Sequence, residues 1–196
     1  MHKGRVEAFS DGVIAILITI MVLELKTPQG ASLEALRPVL PTLAAYLLSF
    51  VYIGIYWNNH HHMLQSVKVV SGAVLWANLH LLFWLSLTPF VTRWLADTGI
   101  CPLPVALYGF IFLMAGVGYY FLSLTLISAN GKHSEIAKAL GKDFKGKISI
   151  VVYAVAIALA WLVPVVSVGL YVMVAVYWLV PDRRFERAHR EENPSA

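Results

Sequence analysis

Arg5-Val6-Glu7-Ala8-Phe9-Ser10-Asp11 opens an apolar run that continues through Ile14-Ala15-Ile16-Leu17-Ile18-Thr19-Ile20 to Leu25. The run is long enough to cross a bilayer, yet it carries an acid near its start. An ionised side chain within a membrane helix costs on the order of +2.5 to +3.5 kcal/mol even on lenient insertion scales, so Asp11 needs a partner or a task. Lys26-Thr27-Pro28 ends the run. The run is too long for a signal-peptide core and lacks a small-residue cleavage site, so it reads as a retained membrane helix.

The remainder of the chain repeats this pattern. Of 196 residues, 59% are hydrophobic and 13% charged, whereas soluble domains carry about 25% charged residues. Six spans are predicted, at 6–26, 40–64, 69–95, 103–128, 148–163 and 165–180. Pro38 and Pro41 are expected to open the second, and Pro102 and Pro104 the fourth, where a missing N–H does no harm. Pro89 falls near the outer end of the third. The last two spans form a short hairpin turned at Val163-Pro164. The membrane domain is expected to occupy 1–180, with a cytoplasmic linker at 129–147 and a cytoplasmic tail at 181–196. Within the linker, Ile136, Leu140 and Phe144 recur every fourth residue. That spacing fits either a short amphipathic helix at the inner surface or a solvated connection.

Charge writes the topology. The net charge of +4 comes from basic residues scattered at span ends, a pattern of membrane orientation that argues against a nucleic-acid partner. With both termini inside, 12 of the 15 Lys and Arg are cytoplasmic and only Lys26, Arg37 and Arg93 lie outside. The lone Cys101 forms no intrachain disulfide.

Projected at about 100° per residue, Phe9, Gly12, Ile16, Thr19, Ile20 and Leu23 form one stripe on the first helix. Asp11 lies about 140° from Ile16, and Ser10 about 120° away on the other side. The stripe suits either an ordinary bundle helix or one wall of an ion path built from several copies around an axis. At the depth of Asp11, the second span ends in Trp57-Asn58-Asn59-His60-His61-His62 and the third carries Trp76, Asn78 and His80. A network linking Arg5, Ser10 and Asp11 to His60 or His61, Trp76 and Asn78 is expected. It serves as structural glue or as a direct ionic element.

Arg5-x-x-x-Phe9-Ser10-Asp11 resembles the signature of the transmembrane protein 175 family of potassium channels, in its short bacterial branch. The likeness extends to Ile14-Ala15-Ile16, Thr19, Tyr56-Trp57-x-x-His60-His61, Leu75-Trp76-x-Asn78-Leu79 and Leu87-Thr88-Pro89-Phe90, and is strong over about the first ninety residues. The resemblance implies an all-α homotetramer of six-helix subunits with the first helices lining a central pore. Ile16 then matches the principal constriction, Thr19 the hydroxyl layer linked to potassium preference, and Ile20 and Leu23 the outer apolar layers. Ala15 departs from animal members, which can carry a second hydroxyl there. Glu24, at the outer end, concentrates cations at the pore mouth or anchors the helix at the surface.

Other signals carry less. Gly116-Val117-Gly118-Tyr119-Tyr120 looks like a carbonyl filter but sits inside an apolar span, where its glycines suit close helix packing. Adjacent histidines 60–62 splay around a helix and cannot converge on one metal. No nucleophile–base pair or phosphate loop points to an enzyme. The expected function is a potassium-preferring monovalent cation channel of a prokaryotic inner membrane, with membrane lipids around it, potassium as the permeant ion, and no cofactor or metal. A proton channel or proton-coupled transporter is the alternative, motivated by Asp11 near several histidines.

Overall fold

The computed structural model describes residues 3–140 and 144–179, with side chains described for 3–138 and 145–179. The tail at 181–196 and Lys142 lie outside the described residues. The described chain is all-helical. Helices α1 (Lys3–Leu23), α2 (Leu40–Gln65), α3 (Gly72–Ser86), α4 (Thr88–Thr98) and α5 (Pro102–Asn130) are followed by a short α6 (Glu135–Leu140), α7 (Phe144–Leu159) and α8 (Pro164–Leu179). A 3-10 helix, Leu33–Val39, leads directly into α2. Among the described residues, four stretches are long and apolar enough to cross a membrane: Lys3–Leu23, Leu33–Gln65, Gly72–Thr98 and Pro102–Asn130.

Several boundaries differ from the sequence expectation for identifiable reasons. The first helix starts and stops about a turn earlier than 6–26, because the backbone leaves helical geometry ahead of Lys26-Thr27-Pro28. Pro38 lies inside the 3-10 helix, and only Pro41 occupies the first turn of α2. The third span, expected as one helix over 69–95, breaks at Leu87 into α3 and α4. Pro89 is the cause: it has no N–H, and its ring clashes with the carbonyl one turn earlier. It instead occupies the first turn of α4. Residues 69–71 belong to the preceding loop, where the Ser71 side chain caps α3 by accepting from Val74 N. The terminal hairpin forms as α7 and α8, with Pro164 starting the second arm. In the linker, Ile136 is fully buried against the core, so α6 is tethered to the protein.

α5 is the mast of the subunit. One apolar core joins α1, α3 and the end of α2 to its later part, through residues such as Ile14, Leu81 and Leu122. A second joins α4, α7 and α8 to its earlier part, around Tyr108, Phe112, Tyr153 and Tyr171. α2 contributes to both cores, with Ile53 in the first and Tyr52 in the second. Gly116–Tyr120 continue α5 as helix. A Cβ on Gly118 would lie 3.0 Å from the Leu81 Cα, so this glycine permits the close crossing of α3 and α5. The side chain of Asn130 staples the α2–α3 loop to the end of α5. Its Oδ1 accepts from Lys68 N and Val69 N, each at 2.9 Å, and its Nδ2 donates to Val69 O at 3.0 Å.

Candidate permeation surface and its polar support

α1 has two chemically different faces. Val6, Ser10, Ile14, Leu17 and Met21 are buried; their spacing of three or four residues keeps them on one side, toward the body of the subunit. The other side presents Phe9, Gly12, Ile16, Thr19, Ile20 and Leu23, all exposed in the single subunit. Ile16 is 57% and Leu23 82% exposed. Thr19 is the one hydroxyl of this stripe. It donates to Ile16 O at 2.8 Å, which commits its proton and leaves oxygen lone pairs for an electropositive neighbour.

Behind α1 runs a directional chain of hydrogen bonds. Asn78 Nδ2 donates to Ser10 Oγ at 2.9 Å, and the Ser10 hydroxyl donates to Val6 O at 2.8 Å. Asn78 Oδ1 therefore accepts, so His60 Nε2, 2.7 Å away, is the donor. Donation thus passes from α2 through α3 into α1. All three side chains are buried, and His60 is only 1% exposed. Each bond polarises the next in so dry a setting. The Nδ1 of His60 has no hydrogen-bond partner among the described residues.

Two further contacts flank this chain. Asp11 accepts from Trp57 Nε1 at 3.0 Å. Glu7 Oε1 lies 3.1 Å from His61 Nδ1, within ion-pair distance but off the hydrogen-bond direction, while His61 Nε2 meets Gln65 Nε2 at 2.8 Å. The adjacent rings of His60 and His61 thus serve different partners.

The expected polar residues accordingly divide. Ser10, Asn78 and His60 meet in one chain, whereas Asp11 and His61 occupy separate contacts with Trp57 and Glu7. Arg5 and Trp76 are exposed in the subunit, Trp76 at 76%. Trp57 and Glu7 were absent from the expected network. Their signals were an indole N–H one turn before His61 and a second acid one turn before Asp11.

Just past the C-terminal end of α1, Glu24 is paired. Arg93 on α4 donates through Nη1 to the Glu24 carboxylate and, at 3.5 Å, to its backbone carbonyl. Arg93 Nε also donates to Asp97, whose other oxygen accepts from Lys26 at 3.5 Å. Two acids and two bases thus close a neutral cluster across α1 and α4. Through the Glu24 carbonyl Arg93 also lies beside the C-terminal end of α1, which suits the dipole of that helix.

Sequence and structure comparisons bear on this arrangement. The family described as "Endosomal/lysosomal potassium channel TMEM175" matches residues 5–89. A potassium channel of Chryseobacterium sp. (strain P1-3) is 50% identical over 191 residues, covering 97% of this chain and 100% of that protein. A crystal structure of a lysosomal potassium-selective channel TMEM175 homolog from Chamaesiphon minutus superposes with a TM-score of 0.78 at 33% identity, over 92% of this chain and 97% of that one. The endosomal/lysosomal proton channel TMEM175 of Gallus gallus is 41% identical over 75 residues, 32% of this chain and 15% of that protein.

Proposed function

The chain belongs to the TMEM175 family of ion channels, and from that premise we propose that it conducts monovalent cations with a preference for potassium. In this reading it assembles as a homotetramer in a bacterial inner membrane, with both termini cytoplasmic and α7 and α8 as the fifth and sixth crossings. The 16 residues of each of those helices rise about 24 Å, so the bilayer thins or the helices are flanked by neighbours. The first helices surround the axis. Ile16, Ile20 and Leu23 form apolar rings that dewet and gate the path, and Thr19 supplies the hydroxyl layer that favours potassium.

One observation carries the reading: along α1 an apolar stripe interrupted by a single hydroxyl is uncovered, while the opposite face is sealed into the subunit. A surface of this size calls for a partner or lipid, and the potassium channel relatives support an axis. The test is purified protein in liposomes. A potassium gradient, with the proton gradient collapsed by a protonophore, should still drive flux that Ile16 substitutions alter. Flux that vanishes with the proton gradient would defeat the proposal.

Proton conduction is the second reading, favoured by the proton channel relative and by the acids and histidines clustered near the start of α1. The buried chain itself is a poor proton wire. It passes through an amide, whose N–H does not readily release a proton, and ends on a backbone carbonyl. His60, Asn78 and Ser10 are therefore assigned a positioning role that holds α1 in place.

A further inference from the structure

A cavity of about 290 Å³ lies between α2, α5, α7 and α8, at the end of the bundle where α1 begins. Tyr56, Tyr119, Tyr153 and Trp178 supply its walls, and Gly116 leaves room for it in α5. It is remote from the exposed stripe of α1. The Gly116–Tyr120 segment, which forms no filter, has two tasks here: Gly118 seats α3, whereas Gly116 and the tyrosines shape the cavity.

Several polar groups around this space are spent on the protein. Tyr56 OH donates to Phe112 O at 3.2 Å, and Tyr52 OH donates to Tyr171 O at 2.6 Å. Trp178 Nε1 donates to Ser149 Oγ at 2.8 Å, and the Ser149 hydroxyl donates to Lys145 O at 2.9 Å. Asn59 Nδ2 donates to Ile55 O at 2.8 Å. Aromatic faces and methylenes make up most of the remaining lining, which suits an apolar occupant rather than water. The opening has the opposite chemistry. Lys147 is part of the lining and is exposed, and Lys145 Nζ sits over the rings of Tyr177 and Trp178, at 5.0 and 5.8 Å from their centroids.

An apolar slot with basic residues beside its opening, at the end of a membrane-spanning bundle, matches an amphiphile with an anionic head. We propose that this cavity binds an acyl chain of an anionic phospholipid, whose phosphate is held by Lys147. Basic residues at a membrane surface attract such headgroups, and the aromatic walls supply the contact area. The site rests on the chain spanning a membrane, and its test reads lipid retention. Its failure would leave the channel proposal untouched.

The test is native mass spectrometry of the full chain extracted from vesicles of equimolar phosphatidylglycerol and phosphatidylcholine with identical chains. A phosphatidylglycerol per subunit should survive conditions that strip phosphatidylcholine. Gly116→Leu should abolish that retention by filling the slot. A Cβ at Gly116 meets only the Tyr56 hydroxyl, at 3.7 Å, so the helix accepts the first carbon. Ile150→Phe, another lining position, serves as the second filler should Gly116→Leu not fold. Lys147→Gln should lower the preference for phosphatidylglycerol about fivefold, the effect of one basic residue at an anionic surface. Equal retention of both lipids, no retained lipid, or undiminished retention in a folded cavity-filling variant would each overturn the proposal.

Discussion

Asn78 donates to Ser10 across 2.9 Å, and through that bond α3 holds the buried face of α1. Asn78→Leu should unfold at a markedly lower temperature, because it leaves the His60 donor without an acceptor and removes the donor to Ser10. Each unsatisfied buried group costs about 1–3 kcal/mol. Ser10→Ala should cost less, and the double substitution should cost less than the sum. Thermal unfolding of the purified protein in detergent, followed by tryptophan fluorescence, measures all three. Strict additivity would remove the coupling between the two residues.

Ile16→Asn should raise cation flux about tenfold, equivalent to lowering the barrier by ~1.4 kcal/mol, and should weaken discrimination between potassium and sodium. In the proposed pore, the amide wets a ring that isoleucine keeps dry. Reversal potentials under bi-ionic conditions provide the measurement; unchanged permeability ratios would place the selective step elsewhere.

Thr19→Val keeps the shape of the side chain and deletes its oxygen. The potassium-to-sodium permeability ratio should fall roughly fivefold, as expected for losing about 1 kcal/mol of polar contact. Thr19→Ser should retain most of the wild-type ratio.

The charged cluster beyond α1 makes a prediction that depends on the sign of the charge. Glu24, Arg93, Asp97 and Lys26 balance one another, so Glu24→Gln leaves an excess of positive charge and should reduce cation conductance. Arg93→Gln exposes the acids and should increase it. Both effects should appear at low ionic strength and fade as salt shortens the Debye length to about 10 Å at 0.1 M. Equal conductances in single-channel recordings at low salt would show that the cluster lies away from the ion path.

The two glycines of α5 should respond differently to alanine. Gly118→Ala should destabilise by roughly 1–3 kcal/mol, because its Cβ meets the backbone of Leu81 and overpacks the crossing. Gly116→Ala should be neutral or slightly stabilising through helix propensity. Denaturation midpoints of the two variants compare them directly.

The four long apolar spans and their approximate extents were legible from length and hydropathy, since lipid forces each crossing to satisfy its own backbone. The break at Leu87 was less visible. Pro89 near a span end reads as harmless unless the helix continues beyond it, as α4 does to Thr98. For the candidate site, the sequence placed polar groups at matching depth, but not their rotation about each helix. Trp76 and Asn78 are two residues apart, about 200° around the helix. With Asn78 turned inward, Trp76 must face out, a constraint already present in the spacing. The choice between His60 and His61 needed coordinates, because both lie at the same height and only the orientation of α2 decides which ring reaches Asn78. The Glu24–Arg93 pairing joins residues 69 positions apart, and no local pattern announces such a contact.

With two cores built on successive stretches of α5, the chain resembles a pair of slabs riveted to a common beam. Motion in the slab carrying α1 reaches the α7–α8 hairpin chiefly through that beam and α2, which enters both cores. The hairpin can therefore act as ballast, staying still in the bilayer while α1 shifts. Labels placed on α8 should report little during opening, and labels on α1 should report most of it.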